Sequence, residues 1–219
     1  VLAGSSPIVS GNTIIGNAGN GISLMVIASS GGDPAQAHLD LLAEPTITGN
    51  TIASNGGWGI EGQDTAAANA ATIEVDNTLG ANGSGQAIQW WYGAVEVVKW
   101  DYTPAAGATV KILANDGDFV ADYGPYTTSS AGFAPETADP ADARKWPVIT
   151  EFTIGNDGVR HTLTPQSIDA SLGDAWCEAA HAWNGRYQVP QVRLNTPPVA
   201  HAGSDQVLEQ TSYDGAEAF

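Results

Sequence analysis

Cationic residues are scarce in this chain. Of 219 residues only 7 are Lys or Arg, against 24 Asp or Glu, for a formal net charge of -17. A surface this negative repels phosphate backbones and anionic lipid headgroups, which excludes nucleic acid as an electrostatic partner and gives no basis for membrane insertion. Cysteine is nearly absent: Cys177 stands alone, so an intrachain disulfide, a Cys-rich zinc site and a haem attachment pair are excluded, and redox chemistry lacks its usual residues. No run of about 18 apolar residues occurs, so no membrane-spanning helix is expected. The opening VLAGSSPIVSG lacks the basic and apolar regions of a signal peptide, so a secreted form would have had its signal removed. With 42% hydrophobic residues, a chain of this length is expected to fold into one or two domains that bury roughly 70% of its unfolded surface.

Glycine is abundant, at 26 residues, and much of it recurs with asparagine in a repeat. Residues 10–22 read SGNTIIGNAGNGI, and residues 48–60 read TGNTIASNGGWGI, 38 positions later. A looser third copy runs from Asp76-Asn77-Thr78-Leu79 through Asn82 and Gly83 to Ala87-Ile88, 27 positions after the second. Each copy holds a short apolar strand, an Asn, a β-branched pair, a second Asn, glycines, and another strand ending in Ile. Asn and Gly tolerate the left-handed backbone of tight corners, and Asn side chains can stack in ladders where one corner repeats above another. A coil of parallel strands is therefore expected. The unequal periods imply insertions, of which 29–38 (SSGGDPAQAH) is the most obvious.

After Trp90-Trp91-Tyr92-Gly93 the pattern changes. Val95 to Trp100 alternates as a strand, 103–107 turns, Ala108 to Leu113 is expected to run back as another strand, and Asn115-Asp116-Gly117 gives a hairpin signal. WPVITEFTI at 146–154, a second Asn-Asp-Gly turn at 156–158, and a last alternating strand from Tyr187 to Leu194 complete the pattern expected of a β-sandwich.

The N-x-x-x-x-N-x-G-x-G-I core resembles the right-handed parallel β-helix repeats of many secreted and surface proteins, among them polysaccharide lyases, glycosidases and adhesins. The resemblance covers about residues 6 to 93, and it speaks to fold rather than activity. The Val-x-Val strand, PAAGATVKI at 104–112, WPVITEF and TPQSIDAS at 164–171 resemble the carboxypeptidase-regulatory-like sandwiches that follow such coils in archaeal and bacterial surface proteins. That resemblance implies an Ig-like or prealbumin-like spacer without catalysis, from which the long aromatic stretch 173–185 (GDAWCEAAHAWNG) departs. TPPVAHAGSDQV at 196–207 is similar to the opening strand of a PKD-type domain. Together these imply an all-β chain: a short right-handed parallel β-helix at 1–93, a sandwich at 94–195, and an extended strand or tail at 196–219.

Catalysis is not expected. The lyases of the β-helix type need a basic residue to take a proton, and residues 1–98 contain no Lys or Arg. Asp33, Asp40, Glu44, Glu61, Asp64, Glu74 and Asp76 offer carboxylates for glycoside hydrolysis, but in no recognisable pairing. Trp58, Trp90, Trp91 and Tyr92 are candidate platforms for carbohydrate, weighed against a covering role where the coil meets the sandwich; on a strand, one of the adjacent Trp pair faces inward and the other outward. Asn115, Asp116 and Asp118 cluster oxygen ligands for calcium, the one cofactor the sequence allows, although the loop is too short for an EF-hand. Cys177, Glu178 and His181 would make a metal-binding face on a helix. Asn82 opens an N-x-S sequon, meaningful if the chain is secreted.

The sequence thus points to a non-enzymatic structural protein of the cell surface or extracellular matrix. Self-association with identical chains into filaments is expected, because uncapped coil ends and strand edges pair with other chains. A donated C-terminal strand would carry it, with Pro197, Pro198, Val199, Val207, Leu208 and Phe219 as its contacts. The alternatives are a fragment of a larger carbohydrate-binding adhesin, or a β-helix polysaccharide-degrading enzyme.

Overall fold

The computed structural model describes residues 6–25, 44–116, 120–139, 146–163, 166–183, 185 and 188–195. The fold is all-β with one short helix. Three parallel ladders build the first half. Strand β1 (Ile8–Ser10) pairs with β4 (Thr46–Thr48); β2 (Thr13–Ile15) pairs with β5 (Thr51–Ala53) and β5 with β7 (Thr78–Leu79); β3 (Ile22–Met25) pairs with β6 (Trp58–Gln63) and β6 with β8 (Gly85–Tyr92). The registers reproduce the two sequence periods: Ile14 faces Ile52 at an offset of 38, and Ile52 faces Leu79 at an offset of 27.

Side chains stack in rows as a result. Ile14, Ile52 and Leu79 form one inward row, and Ile22, Ile60 and Ala87 another, closed at its far end by Ile154. These rows make up most of the first core, together with Ile47, Ala67, Ile73 and Phe152. Full burial of each Ile contributes about 1.5–3 kcal/mol, which compensates for strands only three residues long.

The third turn of the coil departs from the pattern in its first sheet. No strand pairs with β4 there among the described residues; a 3-10 turn (Ala70–Thr72) and helix α1 (Ile73–Asp76) take that place. The Asn69 side chain substitutes for the missing peptide, its Oδ1 accepting from Ile47 N at 3.0 Å and its Nδ2 donating to Ile47 O at 2.7 Å. Ile73 of α1 covers the core below.

The second half contains a four-stranded antiparallel sheet in the order β11 (Val120–Thr127), β10 (Thr109–Asn115), β15 (Gln166–Leu172), β16 (Ala175–His181). A three-stranded sheet opposes it in the order β12 (Phe133–Ala134), β9 (Val95–Val98), β17 (Gln191–Arg193). Val95, Val97, Val192 and Leu194 from one sheet pack with Val110, Ile112, Ile168 and Ala170 from the other in a common core, a sandwich-like arrangement. The strand expected from Ala108 to Leu113 forms as β10, in the sheet opposite β9. β9 and β10 lie in different sheets, because the intervening turn, with Tyr102 at φ 64° and Gly107 at φ 75°, carries the chain across the core.

The two halves share a sheet. Strand β13 (Val148–Ile154) pairs antiparallel with β8, and β14 (Arg160–Thr162) pairs with β13, so residues from 148 to 162 extend the third ladder of the coil. The β13–β14 turn thereby closes one end of the coil.

Candidate functional site

The coil's corners are held by two asparagine columns. In the first, Asn12 N and Nδ2 both donate to Asn50 Oδ1 at 3.0 Å, and Asn50 N and Nδ2 donate to Asn77 Oδ1 at 3.1 and 2.9 Å. In the second, Asn17 donates to Asn55 Oδ1 at 3.1 Å from N and 2.8 Å from Nδ2, and Asn55 to Asn82 Oδ1 at 3.0 and 2.9 Å. Every bond runs in the same sense, from the amide of one turn to the side-chain oxygen of the next. Directly after the second column the backbones come so close that only glycine fits at positions 56 and 83: a Cβ on Gly83 would lie 2.1 Å from Gly56 O, and one on Gly56 2.2 Å from Ala18 O.

A column of one-way bonds has two unlike ends. At the end nearest the second half, Asn156 from the β13–β14 turn accepts from Asn82 N at 3.0 Å and donates to Asn82 O at 2.7 Å, completing the second column. At the other end, the Oδ1 atoms of Asn12 and Asn17 accept nothing among the described residues. There β1, β2 and β3 are all edge strands in the described sheets. Their inward side chains Val9, Ile14, Ile22 and Leu24 are only half-buried, whereas Ile47 and Ile52 one turn below are 0% exposed. This end therefore presents strand edges, apolar surface and two acceptor oxygens together.

The aromatic candidates sit along the third ladder and its junction. Trp91 is buried, and its Nε1 donates to Glu151 Oε2 at 2.6 Å, so it is no stacking platform. Trp90 faces outward as its neighbour faces in, donating from Nε1 to Glu61 Oε1 at 3.1 Å and meeting Tyr92 edge-on at 5.1 Å between centroids. Glu61 also accepts from Gln63 Nε2 at 2.7 Å and from Asn20 Nδ2. The Trp58 ring lies over Gly85, where a Cβ would meet it at 2.2 Å. All four aromatic residues thus have structural contacts where the ladder joins the second half. Burial pushes the Glu151 carboxyl above its ordinary range, against the bond from Trp91 and the nearby Arg160 charge.

Other candidates are placed as follows. Asn82 is buried in the second column and donates from Nδ2 to Gly80 O at 2.9 Å, so the folded chain has no free amide there for a glycan, which corrects the sequon reading. Asp116 of the proposed calcium loop meets His161 Nδ1 at 2.7 Å; Asp118 and the side chain of Asn115 lie outside the described residues. Cys177, Glu178 and His181 lie on strand β16, not on a helix, so Glu178 faces away from the other two and the alternative of a helical metal face is not formed; Cys177 is a buried free thiol. The Cys177 thiol is pushed up by burial. No group of three or more metal-ligating side chains occurs among the described residues, and no described helix is long and apolar enough to cross a membrane. Pro197, Pro198, Val199, Val207, Leu208 and Phe219 lie outside the described residues, as do Asp33, Asp40 and the insertion at 29–38.

Sequence reasoning missed three polar devices. Asn156 closes the ladder from 74 positions away. Asn69 replaces a strand. Arg160 Nε and Nη2 grip Glu74 Oε1 and Oε2 at 2.7 and 2.6 Å, and Nη2 also donates to Ala70 O at 2.7 Å, tying β14 to α1. A second Asn in an Asn-Asp-Gly turn was the one available signal, and it reads equally well as an ordinary hairpin. Compared with known proteins, the chain matches no protein-family model, no curated protein and no solved structure.

Proposed function

We propose that this chain is a non-enzymatic structural protein of a cell surface or extracellular matrix, a short right-handed parallel β-helix joined to an Ig-like β-sandwich, which self-associates through the open first turn of its coil. The observation that carries the reading is the contrast between the two ends of the asparagine columns. One is closed by Asn156, and the other leaves Asn12 and Asn17 Oδ1 without donors beside three strand edges and a half-buried apolar rim. Strand edges of this kind are completed by added strands. The polarity favours a donor-bearing strand over a second open end, because two open ends facing each other would set carbonyl oxygen against carbonyl oxygen. The occupant in this reading is the segment 196–219 of another copy, which opens on Thr196-Pro197-Pro198-Val199. Repeated addition builds a polar filament. A charge of -17 with 7 cationic residues suits a solvated exterior.

Electron microscopy and sedimentation of the full chain test the reading. Filaments are expected from the native chain, and short or no assemblies from a chain lacking 196–219 or from Ile14→Arg, each checked for retained strand content by circular dichroism. A native chain that remains monomeric at every concentration overturns the proposal, as do filaments that persist in both folded variants.

A further inference from the structure

We infer that the outer face of the β11–β10–β15–β16 sheet is a binding site for a neutral saccharide, with Trp176 as its stacking platform. Two rows of side chains cross three adjacent strands on this face. Thr109, Ser171 and Trp176 are in direct register in one row, and Lys111, Asp169 and Glu178 in the next. The alternate residues Val110, Ala170 and Cys177 are buried in the core, which fixes the two rows on the outside. Together the six line a shallow groove of about 360 Å³, within the size range of small-ligand sites.

Two features separate this groove from ordinary strand surface. The Trp176 ring is 60% exposed, although it lies beside an edge where its backbone is already engaged: Trp176 N donates to Asn195 O at 3.3 Å and Asn195 N to Trp176 O at 3.0 Å. The backbone that carries the ring is therefore held in place while the side chain stays uncovered. In addition, Lys111 lies directly across from Asp169, and Asp169 from Glu178, in positions where opposite charges ordinarily pair. None of the three, nor the hydroxyls of Thr109 and Ser171, makes a hydrogen bond or ion pair among the described residues. An aromatic face bordered by uncommitted carboxylates, an ammonium and hydroxyls is the donor and acceptor mixture that a sugar ring needs. The C–H face of a pyranose stacks on the indole while its hydroxyls bond to the flanking groups.

Charge selects within the sugars. One Lys against Asp and Glu leaves the groove with a single net negative charge, on a chain that is itself at -17. A uronate or sialate would be repelled. A quaternary ammonium or basic side chain is disfavoured by Lys111 and by the presence of one ring where a cage would need several.

Affinity electrophoresis of the full chain through gels containing glucan, mannan or galactan, with polygalacturonate as the charged counterpart, tests the site. Retardation by at least one neutral polymer is expected, with Kd weakened about tenfold or more in Trp176→Ala, the scale of a lost aromatic contact. Trp176→Phe should retain part of the affinity, and Trp100→Ala, at an exposed ring elsewhere, should leave it unchanged. Binding by Ile14→Arg should also be unchanged, which separates this site from the assembly face. The proposal is overturned if no neutral polymer retards the chain, if polygalacturonate alone does so, or if Trp176→Ala binds as the native chain does.

Discussion

An asparagine side chain carries one carbonyl and one amino group, the same donor and acceptor as a peptide unit, and the fold uses it in that capacity in two columns of corners. Asn50 and Asn55 are 1% and 2% exposed, and their amides are saturated by the turns above and below, so neither incurs the cost of an unsatisfied buried polar group. Asp in place of either would keep the acceptor and lose the donor. Glu151 illustrates the opposite case, a half-buried group that would be better without its charge. Its carboxyl is raised above the ordinary range by burial, so protonation favours the folded state. That contribution is full below the ordinary carboxylate range and is lost as pH rises through the raised value. Gln at 151 keeps an oxygen for Trp91 Nε1 and carries no charge. Glu151→Gln is therefore expected to be more stable than the native chain at neutral pH, with the gap closing as pH falls into the range where Glu151 takes its proton. Urea unfolding at a series of pH values measures this, and a gap that is constant with pH sinks the argument.

At the scale of elements, β5 holds at three residues because it lies between β2 and β7, and beside β4, where a third copy is missing, the Asn69 side chain and α1 stand in. The Arg160–Glu74 clamp secures such a replacement. It anchors α1 to β14 by two parallel bonds, with the guanidinium 4.0 Å from the centroid of the Phe152 ring. The bond from Arg160 holds the Glu74 carboxyl below its ordinary range, so its contribution is present above that range and is lost as pH falls through the lowered value, the reverse of Glu151. Glu74→Gln should cost about 1 kcal/mol at neutral pH, the upper end for a partly exposed pair, and nothing in strong acid. Denaturant midpoints at both pH values check it, and equal losses at both would refute an ionic clamp. The parallel pairings were legible in the sequence because Asn and Gly recur at corners where few other residues fit, so offsets of 38 and 27 translate directly into registers. The clamp, the Asn69 substitution and the assignment of β9 and β10 to different sheets were not. Each depends on partners distant in sequence, and an isolated Asn, Arg or alternating strand carries no mark of which distant group it will meet.

The molecule as a whole is joined by exchange of strands. β8 stays paired with β6 in the coil's third ladder and pairs on its other side with β13, whose Phe152 and Ile154 complete the coil's core while Ile149 on the same strand enters the core of the second half. Local periodicity cannot reveal this, since WPVITEF reads as a sandwich strand whichever sheet receives it. The consequence is thermodynamic coupling: neither core is complete without β13, so melting either half exposes apolar surface belonging to the other. The chain should unfold in one calorimetric transition, with fluorescence from the tryptophans and strand content by circular dichroism losing signal together. Phe152→Ala removes a ring from the coil's core alone and is expected to cost about 3–5 kcal/mol, lowering that single transition without splitting it. Two resolved transitions in the native chain, or a variant in which only part of the signal moves, would mean that the halves fold independently and that β13 is a contact between them. A single shifted transition would make β13 a structural part of both halves, as its place in both cores implies.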